Sequence, residues 1–471
     1  MKKDPELIKL CRHLWEAMET FRRRRRTCLD YAFGRHWNIE YTLPDGRVTT
    51  MEREMRANGK TPVTNNLTRQ LIKTVVGKWR YLNSRHDCEG DDSEHTVSRA
   101  LDTTPGRLTD ARGLEEFLIS GCAAQMVDGA GAGDNISPAR LFLAPFLRED
   151  AADCRLMGVL HDMTPAEIVR RFSGGDRRRY LALVEAIHGH RGAETALFAE
   201  RERMQFDTAT RGGTIRVVEV WQRRPVSLMR LHDMESASYL VAECCDETRR
   251  RVDRLNAARG EAGRQGVAAY PDVADIWVHS ILLPDGTLLG RESMPEGNVP
   301  PLVVRCYPMI DGEIHSLVED VQTQQEYINR LIMMLDDTLC HAAKGVLLYP
   351  SDQLPSGMTW EQLRHLWSRP GAIIPFIRNS KNITPEQISN SGTIAGAADM
   401  LRTQLDLFGR ISGTSFATER HGINANSADM LRRQMENEMV SLLDILASYQ
   451  AFLSRRDEVA AMISGKGVEY V

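Results

Sequence analysis

Residues 314–341 read IHSLVEDVQTQQEYINRLIMMLDDTLCH, and the spacing of their apolar side chains decides the architecture. Leu317, Val318, Val321, Ile328, Leu331, Ile332, Leu335 and Leu339 recur at helical intervals. At 1.5 Å per residue the predicted helix is roughly 40 Å long. Its apolar positions spread beyond one stripe, which calls for neighbours on two sides. Downstream, Gly345–Tyr349 is predicted as a strand, Thr359–Trp367 as a short helix capped at Thr359, and Ala372–Ile377 as a second strand. Pro350, Pro355, Pro370, Pro375 and Pro385 punctuate this small α/β insert. Its strands have few partners within one chain, so pairing with a neighbouring chain would satisfy their edges. A helix over about Ser391–Ile411 follows, with Ala397, Leu401, Leu405 and Phe408 on one side. Ser412–Asn424 is rich in Gly, Ser and Thr and breaks it. A last long helix is predicted over about Asn426–Arg455, carrying Met430, Leu431, Met435, Met439, Leu442, Leu443, Leu446 and Leu453.

Upstream the chain is mixed. Pro284-Asp285-Gly286 joins two apolar runs within Ala274–Leu289 as a hairpin. Gly212–Trp221 contains the β-branched run TIRVVEVW and reads as a strand, and Asp246–Arg264 as an exposed connection or short helix. Thr164-Pro165-Ala166-Glu167 is a helix start, with a capping-box Thr, Pro at the first helical position and Glu three residues on. Gly129, Gly131 and Gly133 form G-A-G-A-G. That is not the dinucleotide spacing, and no strand–turn–helix with a lysine follows, so it reads as a flexible turn. A helix through Phe117 and Ile119 is predicted before it. Another starts near Asn65 and Asn66, with Leu67, Leu71, Ile72, Val75, Val76 and Trp79 on one wide face, and Pro44-Asp45-Gly46 marks a turn. The first helix is predicted over about Asp4–Tyr31, with Leu7, Leu10, Leu14 and Met18 at helical spacing. Its arginine run, Arg22–Arg26, reads as a solvated helix end whose cations complement the macrodipole, with a nucleic-acid or partner contact as the other reading.

The 471 residues carry 60 Lys plus Arg and 64 Asp plus Glu, a formal charge of −4. That balance excludes a generally basic nucleic-acid coat, yet suits a passage that must not grip phosphates. No run of about 18 apolar residues occurs, so no membrane span is expected, and the charged N-terminus does not read as a signal peptide. Nine scattered cysteines, with Cys244 and Cys245 adjacent and no C-x-x-C, read as reduced thiols. No hydrolase elbow, zinc-protease helix or P-loop occurs. Asp336 and Asp337 point about 100° apart on a helix, which suits ion pairing better than one shared metal. His315, His341 and His421 lack partners at ligand spacing. No catalytic residue, cofactor or metal is expected.

Several local patterns together resemble the portal protein of tailed bacteriophages, that of short-tailed phages most. They are Thr61-Pro62-Val63-Thr64-Asn65-Asn66 running into an apolar helix to Gly77; Ile215–Trp221; Pro301–Tyr307 with Asp311–His315, leading to Gln322, Gln325 and Asn329; and Gly413–Met430. The resemblance implies an α+β, mainly helical fold: a wing of helices and a β-rich part (1–313), a first stem helix (314–341), a clip (342–390), a second stem helix (391–411), a tunnel loop (412–425), and a long C-terminal helix with a short tail (426–471). The larger portals continue further, so only a minimal crown is expected. It further implies a closed homo-oligomeric ring, a dodecamer, at one capsid vertex, through which double-stranded DNA is packaged and ejected. The expected partners are the major capsid and scaffolding proteins, the terminase large subunit and a head-tail connector. The expected location is the virion, and the host cytoplasm during assembly. The loop residues expected to face DNA are Thr414, Ser415, Thr418, Arg420, His421 and Asn424. Those expected to meet terminase are Trp360, Arg364, Trp367 and Arg369. A non-channel structural adaptor and a metal- or nucleotide-dependent enzyme are the other readings.

Overall fold

Hydrophobic burial on both faces of one strand organises the β-rich part of the protein. The computed structural model describes residues 2–58, 60–86, 104–127, 133–188, 204–210, 212–295, 297–344, 346–367, 374–377, 384–388, 393–413 and 440–464. Their helices are α1 Pro5–Ala17, α2 Glu19–Ala32, α3 Met51–Ala57, α4 Leu67–His86, α5 Pro105–Ser120, α6 Pro165–Phe172, α7 Arg177–His188, α8 Asp246–Glu261, α9 Leu317–Lys344, α10 Trp360–Trp367, α11 Thr393–Ile411 and α12 Leu443–Ser464. About twice as many residues lie in helices as in strands, a mixed helix-and-sheet protein. None of these helices is long and apolar enough to cross a membrane. The chain forms two compact units: residues 1–26, 79–316 and 445–471, and residues 27–78 and 317–444.

The first unit is built on two larger sheets, beside a two-stranded pairing of Met309–Ile310 with Glu313–Ile314. The strands of these two sheets are β1 Cys122–Val127, β2 Gly133–Asn135, β3 Leu141–Leu143, β4 Leu156–Met163, β5 Ile215–Asp233, β6 Ser238–Glu243, β7 Val267–Leu282, β8 Leu288–Ser293 and β9 Leu302–Cys306. The larger sheet has the order β8-β7-β5-β4-β3, with β6 also paired to β5; the smaller is β9-β1-β2. Ile215–Trp221 of β5 is buried throughout. Val218 and Val220 pack with Leu7, Ile8, Leu14 and Trp15 of α1. Ile215 and Val217 point the other way, to Ile168 and Phe172 of α6 and Leu183 of α7. A strand covered on both faces reads as a continuous apolar run. Beyond Gln222 the burial alternates as the strand continues alongside β7, which makes both strands longer than the sequence pattern indicates.

Local signals act as read. Thr164 Oγ1 accepts from Glu167 N–H at 3.3 Å and Glu167 Oε2 from Thr164 N–H at 2.8 Å, a complete capping box. Gly286 takes φ +83° in the turn joining β7 to β8, which a Cβ would disfavour. Asp246–Glu261 is helical. Gly133 opens β2, while Gly129 and Gly131 lie outside the described residues.

Three expectations need correction. The first helix is two, because Met18 leaves helical backbone (φ −86°, ψ 10°). The break lets α1 face one core while Met18 and Phe21 pack against another, with Trp221 and Trp277. The arginine run is not a solvated end. Arg22 is buried, its guanidinium 3.6 Å from the centre of the Trp15 ring and 2.9 Å from Glu19. Arg25 makes a bidentate pair with Glu116 at 2.6 and 2.8 Å. Finally, residues 374–377 are not a strand. The partner of β10 (Val346–Leu348) is β11 (Glu386–Ile388), antiparallel, so this insert closes a two-stranded pairing within one chain.

In the second unit α9 and α11 are packing neighbours. Leu317, Val318, Val321, Ile328 and Leu331 of α9 and Phe408 of α11 are buried. Gly413 ends α11 in the left-handed region (φ +67°), and Ser441 Oγ donates to its carbonyl at 3.1 Å. Residues 414–439, where the last helix was expected to begin, lie outside the description. The described part of that helix runs past Arg455 to Ser464.

Gly158 of β4 tests the packing. A Cβ there would lie 2.1 Å from Phe142 Cζ and 2.7 Å from the Glu219 carbonyl oxygen. Gly158→Ala is expected to cost about 1–3 kcal/mol of stability, read by chemical denaturation of the purified protein.

Candidate functional site

A helix begins with N–H groups that have no partner within it. At the start of α4 those groups meet a buried amide from a distant part of the chain. Gln325, fully buried on α9, accepts through Oε1 from Leu67 N–H at 2.9 Å and Thr68 N–H at 3.1 Å. Its Nε2 donates to Asn65 O at 2.7 Å and Asn329 Oδ1 at 3.2 Å. One turn on, Asn329 Oδ1 also accepts from Asn65 N–H at 3.3 Å, and its Nδ2 donates to His36 Nδ1 at 2.7 Å. His36 Nε2–H then donates to Tyr31 O at 2.9 Å, an assignment of the tautomer by the network. Burial lowers the His36 pKa and keeps the ring neutral, as an acceptor at Nδ1 must be. The Tyr31 hydroxyl donates to Glu326, and burial followed by that carboxylate raises its pKa. Asn66 caps α4 itself, accepting from Arg69 N–H at 2.8 Å. Two stretches quoted separately from the sequence, Thr61–Asn66 and Gln325–Asn329, are thus one hydrogen-bonded junction. His36 and Tyr31 were missed, since nothing in their local pattern marks them.

The insert places its predicted residues on one short helix. Thr359 and Gln362 cap α10 reciprocally, at 3.0 and 3.3 Å. Leu363 is buried beneath it, while Trp360 and Arg364 are exposed and Trp367 is half-buried. Trp360 stands edge-on to Tyr349, ring centres 6.1 Å apart, and the Tyr349 hydroxyl donates to Pro375 O at 2.8 Å. Arg369 lies outside the described residues, as do Thr414, Ser415, Thr418, Arg420, His421 and Asn424. Asp337 pairs with Lys60 at 3.2 Å. Among the described residues no group of His, Cys, Asp and Glu could hold a metal ion.

In the first unit a cavity of about 510 Å³ is lined by His161, Glu219, His279 and Arg171 against Trp221, Met294 and Met462. Glu219 is buried. Its Oε1 accepts from His279 Nε2–H at 2.8 Å, His161 Nε2 lies 2.8 Å from Oε2, and Arg171 is 3.7 Å away. Burial alone would raise the carboxyl, but the two imidazoles outweigh it and hold it at about 2. The imidazoles come from β4 and β7 and the carboxylate from β5 between them. Glu219 was legible within Ile215–Trp221, but the histidines on either side were not.

A family model described as phage P22-like portal protein matches residues 136–463. The chain belongs to the P22-like phage portal protein family. The matched residues include β5, β9, α9, α10 and α11, and the segment after Gly413. The Gln325–Asn329 half of the junction falls inside the match, and its Asn65–Asn66 half before it. Portal proteins of this family are structural rather than enzymatic. Among curated proteins none matches the chain.

Gln325→Leu strands the Thr68 N–H, leaves Leu67 N–H with only the Asn65 carbonyl at 3.0 Å, and is expected to lower stability by about 1–3 kcal/mol, measured by denaturant unfolding. Glu219 has a carboxyl lowered from 4.5 to about 2, so its stabilisation is complete above pH 4.5 and disappears as pH falls towards 2. Glu219→Gln is therefore expected to cost up to about 3 kcal/mol at neutral pH. The gap between variant and parent should close across that acid window in pH-dependent unfolding curves.

Proposed function

We propose that the chain is the subunit of a portal ring, a closed homo-oligomer that performs no chemistry of its own, through which double-stranded DNA enters and leaves a capsid. The family match supports this reading most directly. The helix pair adds physical support. Met334 and Leu339 on α9 are 64% and 52% exposed, and Met400 and Ile411 on α11 are 43% and 45% exposed. Large apolar side chains on both partners of one helix pair leave surface for a neighbouring copy to cover. A head-to-tail contact whose rotation divides a full turn closes into a ring. In this reading α9 and α11 are the stem, the insert between them is the clip, the segment after Gly413 is the tunnel loop, and a dodecamer is the expected assembly.

The ring is a passive conduit: it supplies a channel and a docking face, and a separate terminase uses the ATP. Trp360, Arg364, Trp367 and Arg369 are the proposed contacts with terminase and later with head-tail connector proteins. Thr414, Ser415, Thr418, Arg420, His421 and Asn424 are the proposed residues beside the DNA. Arginine exposed next to tryptophan suits a docking face, since both are enriched where proteins bind each other tightly. Capsid and scaffolding proteins complete the expected partners, within a virion assembled in the host cytoplasm.

Negative-stain electron microscopy with particle mass measurement is the test. Closed rings with a hole wide enough for duplex DNA are expected; compact dimers or open filaments would overturn the reading. The double variant Trp360→Ala with Arg364→Ala is expected to form rings normally yet bind terminase at least tenfold more weakly, measured by surface-immobilised binding.

A further inference from the structure

The core beneath the smaller sheet holds two thiols that the portal reading does not use. Cys122 on β1 and Cys306 on β9 stand directly opposite in register. Tyr307 N–H donates to Gly121 O at 2.9 Å and Val127 N–H to Pro301 O at 2.8 Å. The hydrogen-bonded pairs of this ladder therefore fall on either side of the cysteines. Cys122 and Cys306 form a non-hydrogen-bonded pair, the kind in which opposite side chains come closest. Their own N–H groups confirm it by pointing elsewhere: Cys306 N–H to Glu149 O at 2.8 Å, and Cys122 N–H to Ser120 Oγ at 3.2 Å. Both side chains are buried in one cluster, and the Cys122 thiol has a long contact, 4.0 Å, to the Ala123 carbonyl. In such a pair the Cα atoms sit about 4.5 Å apart, inside the lower end of the range a disulfide spans. Cys154 shares the cluster, but its thiol is engaged with the carbonyls of Leu156 at 3.0 Å and Ala144 at 3.4 Å.

We propose that Cys122 and Cys306 are an oxidation site, closing to a cross-strand disulfide that joins β1 to β9. Hydrogen peroxide is the oxidant. One thiolate attacks the peroxide O–O bond, taking one oxygen as a sulfenic acid and releasing hydroxide. The second sulfur then attacks the sulfenic sulfur, forming S–S and expelling the oxygen as water. Two thiols lose two electrons and two protons, and one peroxide becomes two waters. The neighbouring Cys306 thiol and burial push the Cys122 thiol above its ordinary value, so the site reacts more slowly than exposed Cys245. The bond ties together strands far apart in sequence, and so restrains the unfolded chain strongly. Its setting, assembly in a reducing cytoplasm followed by release in a particle, rests on the portal reading; the pairing does not.

The full-length protein, reduced and then freed of reductant, is treated with hydrogen peroxide, alkylated in denaturant and mapped by peptide mass spectrometry. A Cys122–Cys306 linked peptide is expected, with an unfolding midpoint about 5 °C higher that dithiothreitol reverses. Cys306→Ser should abolish both, while mapping of the parent chain stands without the variant. Because the pair is buried, the treatment is continued well past complete oxidation of Cys245; Cys122 and Cys306 still unlinked at that point would overturn the proposal, as would a link from either to Cys154. Ring imaging of the same sample reads the portal proposal separately, so the two can fail independently.

Discussion

Gln325 buries a primary amide, and both its oxygen and its nitrogen must be satisfied inside the protein. The start of α4 supplies the matching groups, two N–H donors and the Asn65 carbonyl. Each half would be costly alone: the amide without partners, or the helix end without acceptors. Together they fix which residue of α9 meets which residue of α4. A slip of one position along either helix would break several hydrogen bonds at once. The register so set also places Ile328 and Leu331 of α9 in the core and leaves Met334 and Leu339 exposed.

The first unit solves a similar problem with a sheet. Because Ile215–Trp221 is covered on both faces, polar side chains in that run cannot reach bulk water and must be met where they lie. Arg216 meets Asp162 at 3.0 Å, and Glu219 meets the two imidazoles. Burial lowers the Arg216 pKa to about 10 against the pull of Asp162. Both pairs are cross-strand or diagonal neighbours, so strand register decides them. The same register brings Cys122 opposite Cys306 in the smaller sheet.

In a family of structural proteins such interactions hold surfaces in place. The capped helix α10 presents Trp360 and Arg364 outward because Leu363 is anchored inward. The α9–α11 pair keeps its length through its own contacts while leaving apolar side chains available to a neighbour. Neither feature needs a cofactor or a nucleophile.

Much was legible in local chemistry. The 3.6-residue period marked α9 and α11, the Thr164 and Glu167 pair marked the start of α6, and Pro284-Asp285-Gly286 marked the turn between β7 and β8, because each signal acts over a few residues. The quoted motifs around Asn65, Glu219 and Gln325 also carried the family resemblance. The break at Met18 was not legible, since no Gly or Pro makes it; it follows from two cores that α1 and α2 face separately. The pairing of β10 with Glu386–Ile388 was missed because three-residue strands carry almost no periodicity. Arg22–Arg26 looked like one charged run, but Trp15, Glu19 and Glu116 divide it between buried and exposed roles. Sequence by itself determined the longer helices and the buried run of β5, because backbone propensity and apolar period are local. Only the tertiary structure decided which polar groups meet, such as Gln325 with Leu67 or Glu219 with His161 and His279, because those partners are set by packing between segments far apart in the chain.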